Sequence, residues 1–521
     1  MGNEKPILDS DRDERINSPD MKLDRPVFSS RLNLPASGDN WLSILFLVIA
    51  IVSGVTIAVI IWQLGWIGLL AAPFLFFLLA ILIRPELGLG AFIFIILNQL
   101  TPVINKYYPG VPSPVFPLLG MLIFLIIWRM VIYGDRPEGW KRASVILVVM
   151  AFWLLSVLVA DDSVLALAKF QRFTENAVLA FVIVFFIQRP TSLRSVVWAL
   201  LAAGILMATI SVFQNLTSTY DNNYWGLGEW DPSSTGGVTN HRATGPYGNP
   251  NAYAQVLVML VPLAVDRLWH ERELRFRLLA GWALFVCILT IFFTYSRNGF
   301  ITLLFTLGLL FIMRRPKVLS VAVMVVLAYV VIRFLPISYT ERITSLFQFS
   351  SSSSPQRITD VSFRGRLSEN IAAWRMFQDN PLFGVGLDNF QVNYQSYSRQ
   401  IGLDERRIER TPASFYLELL SEQGLIGTLV FMLFMLIVFR NLWKAGRLFQ
   451  SLDMKNEEYM TLAFLSGLAG YMVFYISKNS SYPNVFWVLL GIAFSIAQVA
   501  ENSLDSSKPR FPASHKRMKW G

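Results

Sequence analysis

Long apolar segments recur along this chain of 521 residues and leave few architectures open to it. Many of them approach the roughly 20 residues that an α-helix needs to cross a hydrocarbon core about 30 Å thick. The composition agrees, because 54% of the residues are hydrophobic and only 15% are charged. We therefore expect an all-α polytopic membrane protein rather than a large soluble enzyme.

The apolar runs predict about fourteen transmembrane helices. The first block, residues 41–83, is too long for one span, and Gln63 beside Gly65 predicts a hairpin of two helices. Further spans are predicted at residues 87–104, 115–133, 143–160, 173–188, 192–213, 250–267, 278–295, 299–313, 318–335, 414–439, 459–477 and 483–500. Helices 1–11 thus fall in residues 41–335, and helices 12–14 in residues 413–500.

The distribution of Lys and Arg predicts which side of the membrane each loop faces. Residues 1–40 are polar with charges of both signs, so we expect a disordered cytoplasmic tail. With that tail inside, the predicted cytoplasmic loops are rich in Lys and Arg, and residues 501–521 form a basic tail. This positive-inside pattern predicts a multi-pass protein of the plasma (inner) membrane with both termini cytoplasmic. It also accounts for the net charge of +10 without nucleic acid.

Two long polar segments are thereby predicted outside. Residues 215–249 are rich in turn-forming and aromatic residues, whereas residues 336–412 contain nine Arg, eight acidic residues and no Lys. Because the guanidinium group pairs bidentately with phosphate, some of these Arg, first Arg364 and Arg366, are predicted to bind an anionic head group. Scattered surface charge balanced by the acidic residues is the alternative. Apolar residues at helical spacing over 363–380 predict an amphipathic helix on the outer leaflet.

Basic residues also lie at the predicted outer boundary of several spans. Lys169 and Arg172 are one helical turn apart, Arg242 follows His241, and Arg297 lies in the short turn TYSRNGF. For any one of these side chains, snorkelling to the interface is the simplest account. Because ionisable groups at such depth usually face a cavity or a partner, four of them near one leaflet predict a shared anion-binding site.

Two predicted helix starts add polar groups on the same side. GNPNAYAQ offers Asn249 or Asn251 as a helix N-cap, and the backbone N–H groups at such a helix end bind phosphate well. TPASFYLELLSEQGLIG carries Glu418 and Glu422 into an apolar segment. Buried carboxylates there would need partners, which the Arg residues are predicted to supply.

Signatures of metal- and nucleotide-dependent enzymes are missing from the sequence. The single cysteine, Cys287, lies in an apolar run, and three scattered histidines are too few for a His-based metal site. No P-loop, HExxH or GxSxG motif occurs in a suitable context. We therefore expect no cofactor, no metal and no nucleic-acid partner.

Four sequence pieces, in this order, resemble the O-antigen ligase/polymerase family of bacterial membrane glycosyltransferases. They are RATGPYGNPNAYAQ, TYSRNG, FRGRLSENIAAWRMFQDNPLFGVGLDNF and SFYLELLSEQGLIG, and the resemblance covers roughly residues 170–440. It implies a GT-C-like helical fold with a large periplasmic loop between late spans. It also implies metal-independent transfer of a glycan from undecaprenyl diphosphate to an acceptor glycan or lipid outside the membrane. Arg172, Arg297 and Arg366 occupy positions where the family places basic residues near the donor diphosphate.

One position departs from the family pattern. The family usually carries a His-Asn pair before the last motif, and that His is its proposed general base, whereas this chain has Ala413-Ser414. General base catalysis typically contributes about 10²–10⁴-fold, so its loss would slow transfer without abolishing it. His241, Asp388 and Glu418 are the candidates to replace the missing base.

The predicted function is therefore a glycan ligase or polymerase acting on the outer face of the plasma membrane. A lipid-linked oligosaccharide flippase or a small-anion transporter is the main alternative, and a non-catalytic subunit of a glycan-assembly complex is another. A flippase should line a central cavity with charge through the bilayer depth. In this sequence the charge is concentrated at one leaflet and in one loop, which favours transfer.

Overall fold

The structure is mostly helical, as the apolar runs predict. It is a computed structural model that describes residues 77, 80–132, 134, 139–235, 238–314, 361–403, 410–479 and 483–507. Its helices, in chain order, are α1 (Pro85–Leu97), α2 (Leu100–Tyr107), α3 (Val115–Ile132), α4 (Trp140–Ala143), α5 (Val145–Leu158), α6 (Ser163–Phe186), α7 (Pro190–Thr217), α8 (Pro250–His270), α9 (Leu274–Phe293), α10 (Arg297–Arg314), α11 (Val361–Asp379), α12 (Phe390–Ile401), α13 (Phe415–Ser451), α14 (Lys455–Phe474) and α15 (Pro483–Ser507).

Nine helices within the described ranges are long and apolar enough to cross a membrane. A tenth span results if α1 and α2, which are bent by 58°, form one broken span. These helices identify a multi-pass membrane protein. The expected total of fourteen stays a prediction, because the predicted spans in residues 41–76 and 318–335 lie outside the described residues, as do both predicted tails apart from the end of α15.

Helix α6 differs from the predicted span at residues 173–188. It begins ten residues earlier, because the Asp162 side chain caps it by accepting hydrogen bonds from the N–H groups of Val164 and Leu165 (3.0 and 3.1 Å). The earlier start brings Lys169 and Arg172 into the helix, and α6 is not among the nine candidate spans. These charged residues are therefore part of the helix and not of a loop before it.

The predicted outer segments contain more regular structure than expected. Residues 215–249 include an antiparallel hairpin of β1 (Trp230–Thr235) and β2 (Val238–Ala243), which the sequence analysis did not predict. Helix α11 (Val361–Asp379) covers most of residues 363–380, whereas its amphipathic character and its place on the outer leaflet stay predictions. Helix α12 in the same predicted loop was missed.

The helices pack around α8, which is buried along most of its length between α7, α9, α10 and α14. The Asn249 side chain caps α8 by accepting hydrogen bonds from the N–H groups of Asn251 and Ala252, which confirms the predicted helix start. Helix α15 packs between α6 and α13. Large apolar side chains on other helices, such as Phe116 and Val131 of α3, are exposed, as expected for surfaces that face lipid.

A cluster of paired charges lies at the far end of α8 from Asn249. Asp266 accepts hydrogen bonds from Arg267 (Nε, 2.9 Å) and contacts Arg314, and Glu271 pairs with Arg194 and Arg267. Asp266 and Arg267 are completely buried. Charge is therefore not confined to one end of the helical bundle, as the sequence suggested, although here each carboxylate is matched by guanidinium groups.

Helix α13 is broken near its beginning, at Gly424. This glycine has φ 62° and ψ −165°, a conformation that only glycine adopts readily. The break frees backbone groups that a membrane helix cannot leave unpaired. The loop between α11 and α12 pairs with these groups through four hydrogen bonds, two of which it donates and two of which it accepts. They join Val385 N to Ser421 O (2.9 Å), Gly386 N to Glu422 O (3.0 Å), Leu425 N to Pro381 O (2.8 Å) and Ile426 N to Leu382 O (3.3 Å).

The loop at residues 381–389, called the docking loop below, lies so close to its neighbours that glycine is required at two of its positions. A Cβ atom on Gly384 would come within 2.4 Å of the Glu422 carbonyl carbon. A Cβ atom on Gly386 would come within 2.3 Å of the Ala160 Cα. Both glycines also have positive φ. The glycines of NPLFGVG therefore allow the docking loop to lie against the backbone of α13 at Glu422 and against Ala160, between α5 and α6.

The docking loop also holds the start of α6. The Asn389 side chain accepts a hydrogen bond from the Asp162 N–H (2.6 Å) and donates one to the Asp162 carbonyl (3.1 Å). Asp162 is the N-cap of α6, so one loop connects the break in α13 with the first turn of α6. These two helices supply four of the five charged residues of the site described below.

We expect Gly424→Ala to destabilise the protein, because a Cβ atom would lie 2.4 Å from the Leu382 carbonyl group and the backbone conformation would be strained by about 1–3 kcal/mol. Gly446→Ala, on the same helix, is the matched control. The nearest atom to its new Cβ is 3.6 Å away, and alanine raises helix stability by about 0.5–1 kcal/mol. Thermal unfolding in detergent should show a lower Tm for the first variant only. Equal Tm values for Gly424→Ala and the parent would contradict the role of the break.

Candidate functional site

A cleft of about 260 Å³ opens between the first turns of α6, the docking loop and the beginning of α13. Its walls carry charges of both signs. The lining residues are Lys169, Arg172, Asp388, Phe390, Gln391, Thr411, Pro412, Glu418, Glu422 and Asn479. Four of the predicted site residues, namely Lys169, Arg172, Asp388 and Glu418, therefore meet in one place.

Helix α6 provides the basic wall of the cleft. Lys169 and Arg172 are three residues apart and thus lie on one face of the helix. Arg172 is exposed, whereas the Lys169 side chain is only 18% exposed and donates a hydrogen bond to Asp388 Oδ1 (3.0 Å). Arg172 is therefore open to a ligand, and Lys169 connects the basic wall to the docking loop.

Lys169 keeps its positive charge despite its burial. Burial alone lowers its pKa, but the carboxylates of Glu418, Asp388 and Glu422 raise it by more, so the pKa lies above the ordinary lysine value. One cation thus faces three carboxylates. Arg172, which also lines the cleft, adds a second positive charge on this wall.

Helix α13 provides two buried carboxylates, one helical turn apart. Glu418 and Glu422 both line the cleft and are 8% and 4% exposed. Glu422 accepts hydrogen bonds from the backbone N–H groups of Asp388 (Oε2, 2.9 Å) and Phe390 (Oε1, 3.4 Å). The sequence had suggested Arg partners for this carboxylate. Its observed partners are backbone N–H groups, because the docking loop and not an Arg packs against it.

Asp388 has a strained backbone at the point where the two walls meet. Its φ of 60° lies in the left-handed region, which is uncommon for a residue with a side chain. Strain of this kind persists only where surrounding contacts impose it, and it often marks a functional position. Here the Glu422 carboxylate holds the Asp388 N–H, and Lys169 holds the side chain.

Lys478, which follows α14 and the short 3₁₀ helix Tyr475–Ser477, lies at the edge of the cleft. It donates a hydrogen bond to Asn479 Oδ1 (2.6 Å), and Asn479 lines the cleft. Burial lowers the pKa of Lys478 to about 8, with Glu418 opposing this shift and Arg366 adding to it. Lys478 is therefore next to the cleft, and Arg366 lies close enough to Lys478 to lower its pKa.

A small apolar cavity of about 30 Å³ adjoins the cleft and shares three lining residues with it: Lys169, Glu418 and Glu422. Its other walls are mostly aromatic and include Trp153, Phe173, Phe415, Phe431, Tyr475, Phe486 and Trp487. Polar and apolar surfaces therefore meet at the two glutamates. Among the described residues, no group of three or more His, Cys, Asp or Glu is arranged to hold a metal ion.

The remaining residues predicted at the outer boundary are placed around the hairpin. The His241 ring stacks on the Tyr220 ring (4.1 Å between centroids, 6° between planes). Arg242 Nε donates a hydrogen bond to the Thr294 carbonyl (3.0 Å). Asn251 Oδ1 accepts one from Ser296 Oγ (2.8 Å). In the described structure none of these residues lines the cleft, so the residues predicted to share one anion site fall into two groups.

Three further predicted Arg residues lie on α10 and α11 and are not among the residues that line the cleft. Arg297 begins α10, and the following residue, Asn298, donates a hydrogen bond to the carbonyl of Phe474 at the end of α14 (2.9 Å). Arg364 is half-buried on α11, and Arg366 is exposed on the same helix. Elsewhere in the predicted loop, Arg410 pairs with Glu369 (2.5 Å), so at least one of the nine Arg has a structural ion pair.

Sequence reasoning placed too little weight on Glu422, Lys478 and Asn389. Two glutamates one turn apart at the start of an apolar helix were a usable signal for Glu422, because buried carboxylates require partners. Lys478 is a lone cation between two spans. No local pattern indicated that Asn389 would bind the backbone of a residue 227 positions earlier.

A comparison with protein families supports the sequence analysis. Residues 282–432 match the family model described as O-antigen ligase. The matched range runs from within α9 into α13 and contains the docking loop, Asp388, Glu418 and Glu422. Lys169 and Arg172 lie before it. No curated protein matches the chain.

The order of elements in the matched range agrees with the motifs on which the resemblance was based. TYSRNG leads into α10, the Arg-containing piece forms α11 and the docking loop, and SFYLELLSEQGLIG opens α13 at the break. The family indicates a glycosyltransferase-like ligase or polymerase activity. Residues 282–432 therefore match an O-antigen ligase domain, which bears out the predicted resemblance to the O-antigen ligase/polymerase family over this part of the chain.

Proposed function

We propose that this protein is a glycan ligase or polymerase that transfers a saccharide from an undecaprenyl-diphosphate donor to an acceptor hydroxyl on the outer face of the plasma membrane. The observation that carries the proposal is the Lys169–Asp388 pair, which lies where a basic and an acidic wall share one cleft. Such a cleft offers cations to a departing diphosphate and carboxylates to the hydroxyl group that replaces it.

The basic wall would bind and stabilise the leaving group. When the bond between the anomeric carbon and the diphosphate oxygen breaks, negative charge accumulates on the diphosphate. Preorganised cations at that position stabilise the transition state more than the ground state. Arg172 and Lys169 supply this charge in the cleft, with Arg366 and Lys478 at its edge. Because these residues supply the positive charge, the proposed reaction is metal-independent.

The acidic wall would receive the proton of the acceptor. As the acceptor oxygen bonds to the anomeric carbon, its proton must pass to a nearby base. Asp388 has a side chain 27% exposed in the cleft and oriented by Lys169, which makes it the best-placed proton acceptor. Glu418 lies deeper on the same wall and is the second candidate. His241 is less well supported, because it stacks on Tyr220 and does not line the cleft.

The apolar surface next to the cleft suits the lipid part of the donor. Aromatic side chains surround the small cavity that adjoins Lys169 and Glu418. A polyprenyl chain attached to a diphosphate in the cleft would meet this surface first. The charged cleft would therefore hold the diphosphate, and the adjoining aromatic surface would hold the first part of the polyprenyl chain.

The first test is transfer by the purified protein, supplied with undecaprenyl-diphosphate-linked glycan and an acceptor glycan or lipid. We expect Asp388→Asn to lower kcat by about 10²-fold or more, the usual contribution of a general base. Asp379→Asn is the matched control, because Asp379 lies on α11 and bonds the Tyr397 hydroxyl (2.6 Å) outside the cleft. Movement of the donor between leaflets without glycan transfer would favour a flippase instead.

The second test concerns the donor. We expect Arg172→Ala, Arg297→Ala and Arg366→Ala each to abolish transfer while the protein still inserts in the membrane, because the family resemblance implies that all three side chains lie near the donor diphosphate. Arg375→Ala, on α11 but nine residues beyond Arg366, is the control and should transfer normally. Normal glycan products from all three variants would rule out the proposed donor site.

The third test uses pH. Lys478 is protonated below a pKa of about 8 and neutral above it, so the cleft loses positive charge as the pH rises through that value. We expect the KM for the donor to increase over this range. Lys478→Arg keeps its charge at high pH and should remove the dependence. A KM that rises equally in the variant and the parent would show that another group is responsible.

A further inference from the structure

We propose that Glu422 is a positioning residue that holds Asp388 in place for transfer through the backbone of the docking loop. This inference rests on the proposed function, because it assigns a role to a residue of the same cleft. It also makes a claim about structure that can be tested without any glycan. Glu422 was not among the residues predicted to form the site.

The Glu422 side chain contacts the backbone of two residues that line the cleft. One of its oxygens accepts a hydrogen bond from Asp388 N in the docking loop (2.9 Å), and the other accepts one from Phe390 N at the beginning of α12 (3.4 Å). Its side chain is almost completely buried. Hydrogen bonds are electrostatically stronger in the low dielectric of the interior than in water, and a buried N–H donor left without a partner is costly. Glu422 is therefore well suited to fix the backbone at residues 388–390.

Fixing this backbone determines where the Asp388 side chain points. Asp388 has a positive φ of 60°, which costs free energy in a residue with a Cβ atom and must be imposed from outside. The hydrogen bond from its own N–H to Glu422 is a direct constraint on that conformation. In this conformation the carboxylate reaches Lys169 Nζ (3.0 Å). Glu422 thus acts on Asp388 and, through it, on Lys169.

Glu422 also contacts the docking loop through its own backbone. The carbonyl of Glu422 itself accepts a hydrogen bond from Gly386 N (3.0 Å), two residues before Asp388. Its neighbour in sequence, Gln423, precedes the break at Gly424. One residue therefore contacts the docking loop through both its backbone and its side chain. The side-chain contacts are the part that a substitution removes.

The conservative change Glu422→Gln is informative because the amide can accept from only one of the two N–H groups. Its NH₂ group would face the other N–H donor, which leaves that donor unpaired. Glu422→Ala removes both acceptors. We therefore expect a graded series in which the docking loop is held best by Glu, less well by Gln and least by Ala.

The structural test measures the exposure of a cysteine placed at residue 388. The chain has a single natural cysteine, Cys287, which is buried. In Asp388→Cys, the N–H of residue 388 still bonds Glu422, so the rate of labelling by a charged thiol reagent reports how firmly the loop is held. Adding Glu422→Ala should raise that rate by about tenfold, the effect of leaving one buried N–H donor without its acceptor. Glu457→Gln, in the first turn of α14, is the control and should not change it.

The functional test is a double-mutant cycle with Asp388→Asn. If Glu422 acts through Asp388, Glu422→Gln should lower kcat in the parent and have little further effect in the Asp388→Asn background. The KM for the donor should change much less than kcat. If the kcat of the double variant is lowered by the product of the two single-variant effects, Glu422 acts independently of Asp388, and the proposal is overturned.

The two tests separate failure of this inference from failure of the proposed function. A labelling rate that does not depend on residue 422 would overturn the positioning role even in an active enzyme. A parent protein that transfers no glycan would overturn the proposed function. In that case the labelling series would still decide whether Glu422 holds the docking loop.

Discussion

The site depends on a constraint of protein interiors: buried backbone N–H and C=O groups must be paired within the protein. The break at Gly424 frees such groups on α13, and the docking loop pairs with them. A regular helix would have paired them within itself and left no place for the loop. The irregularity of α13 is therefore what brings Asp388 beside Glu418 and Glu422.

The two charged clusters at opposite ends of the bundle differ in how their charges are balanced. Around Asp266 and Arg267 the groups are buried and matched with one another, so this cluster connects α7, α8 and α10. In the cleft, by contrast, Arg172 is exposed and the Asp388 side chain is partly open. Charge that is open to a ligand is found in the cleft, which supports assigning chemistry to that end and a structural role to the other.

Much of the fold was predictable because apolar length and helix-capping signals are local. The spans, the Asn249 cap and a helix over residues 363–380 follow from spacing along the chain. The hairpin was not predictable in this way, because β1 contains Asp231 and Pro232, which are rare in strands. The start of α6 was missed because its charged first turns interrupt the apolar run that was used to place it.

The candidate site was predicted in part. Lys169, Arg172, Asp388 and Glu418 were singled out by charge at a predicted membrane boundary, and they meet in the cleft. The division of the predicted residues between the cleft and the hairpin could not be read from spacing. Neither could the partners of Glu422, because both depend on how the docking loop packs against α13.

The distance along the chain between Lys169 and Asp388 has a consequence for how the protein is made. Their sequence positions differ by 219, and ribosomes add about 5–20 residues per second, so Lys169 is synthesised roughly 10–40 s before its partner. During that interval α6 carries a cation whose carboxylate partners do not yet exist, and such a charge is costly in lipid. The first turns of α6 are therefore expected to reach their final position only after the beginning of α13 arrives. The newly made protein would remain open at the cleft until residues 388–422 have been synthesised.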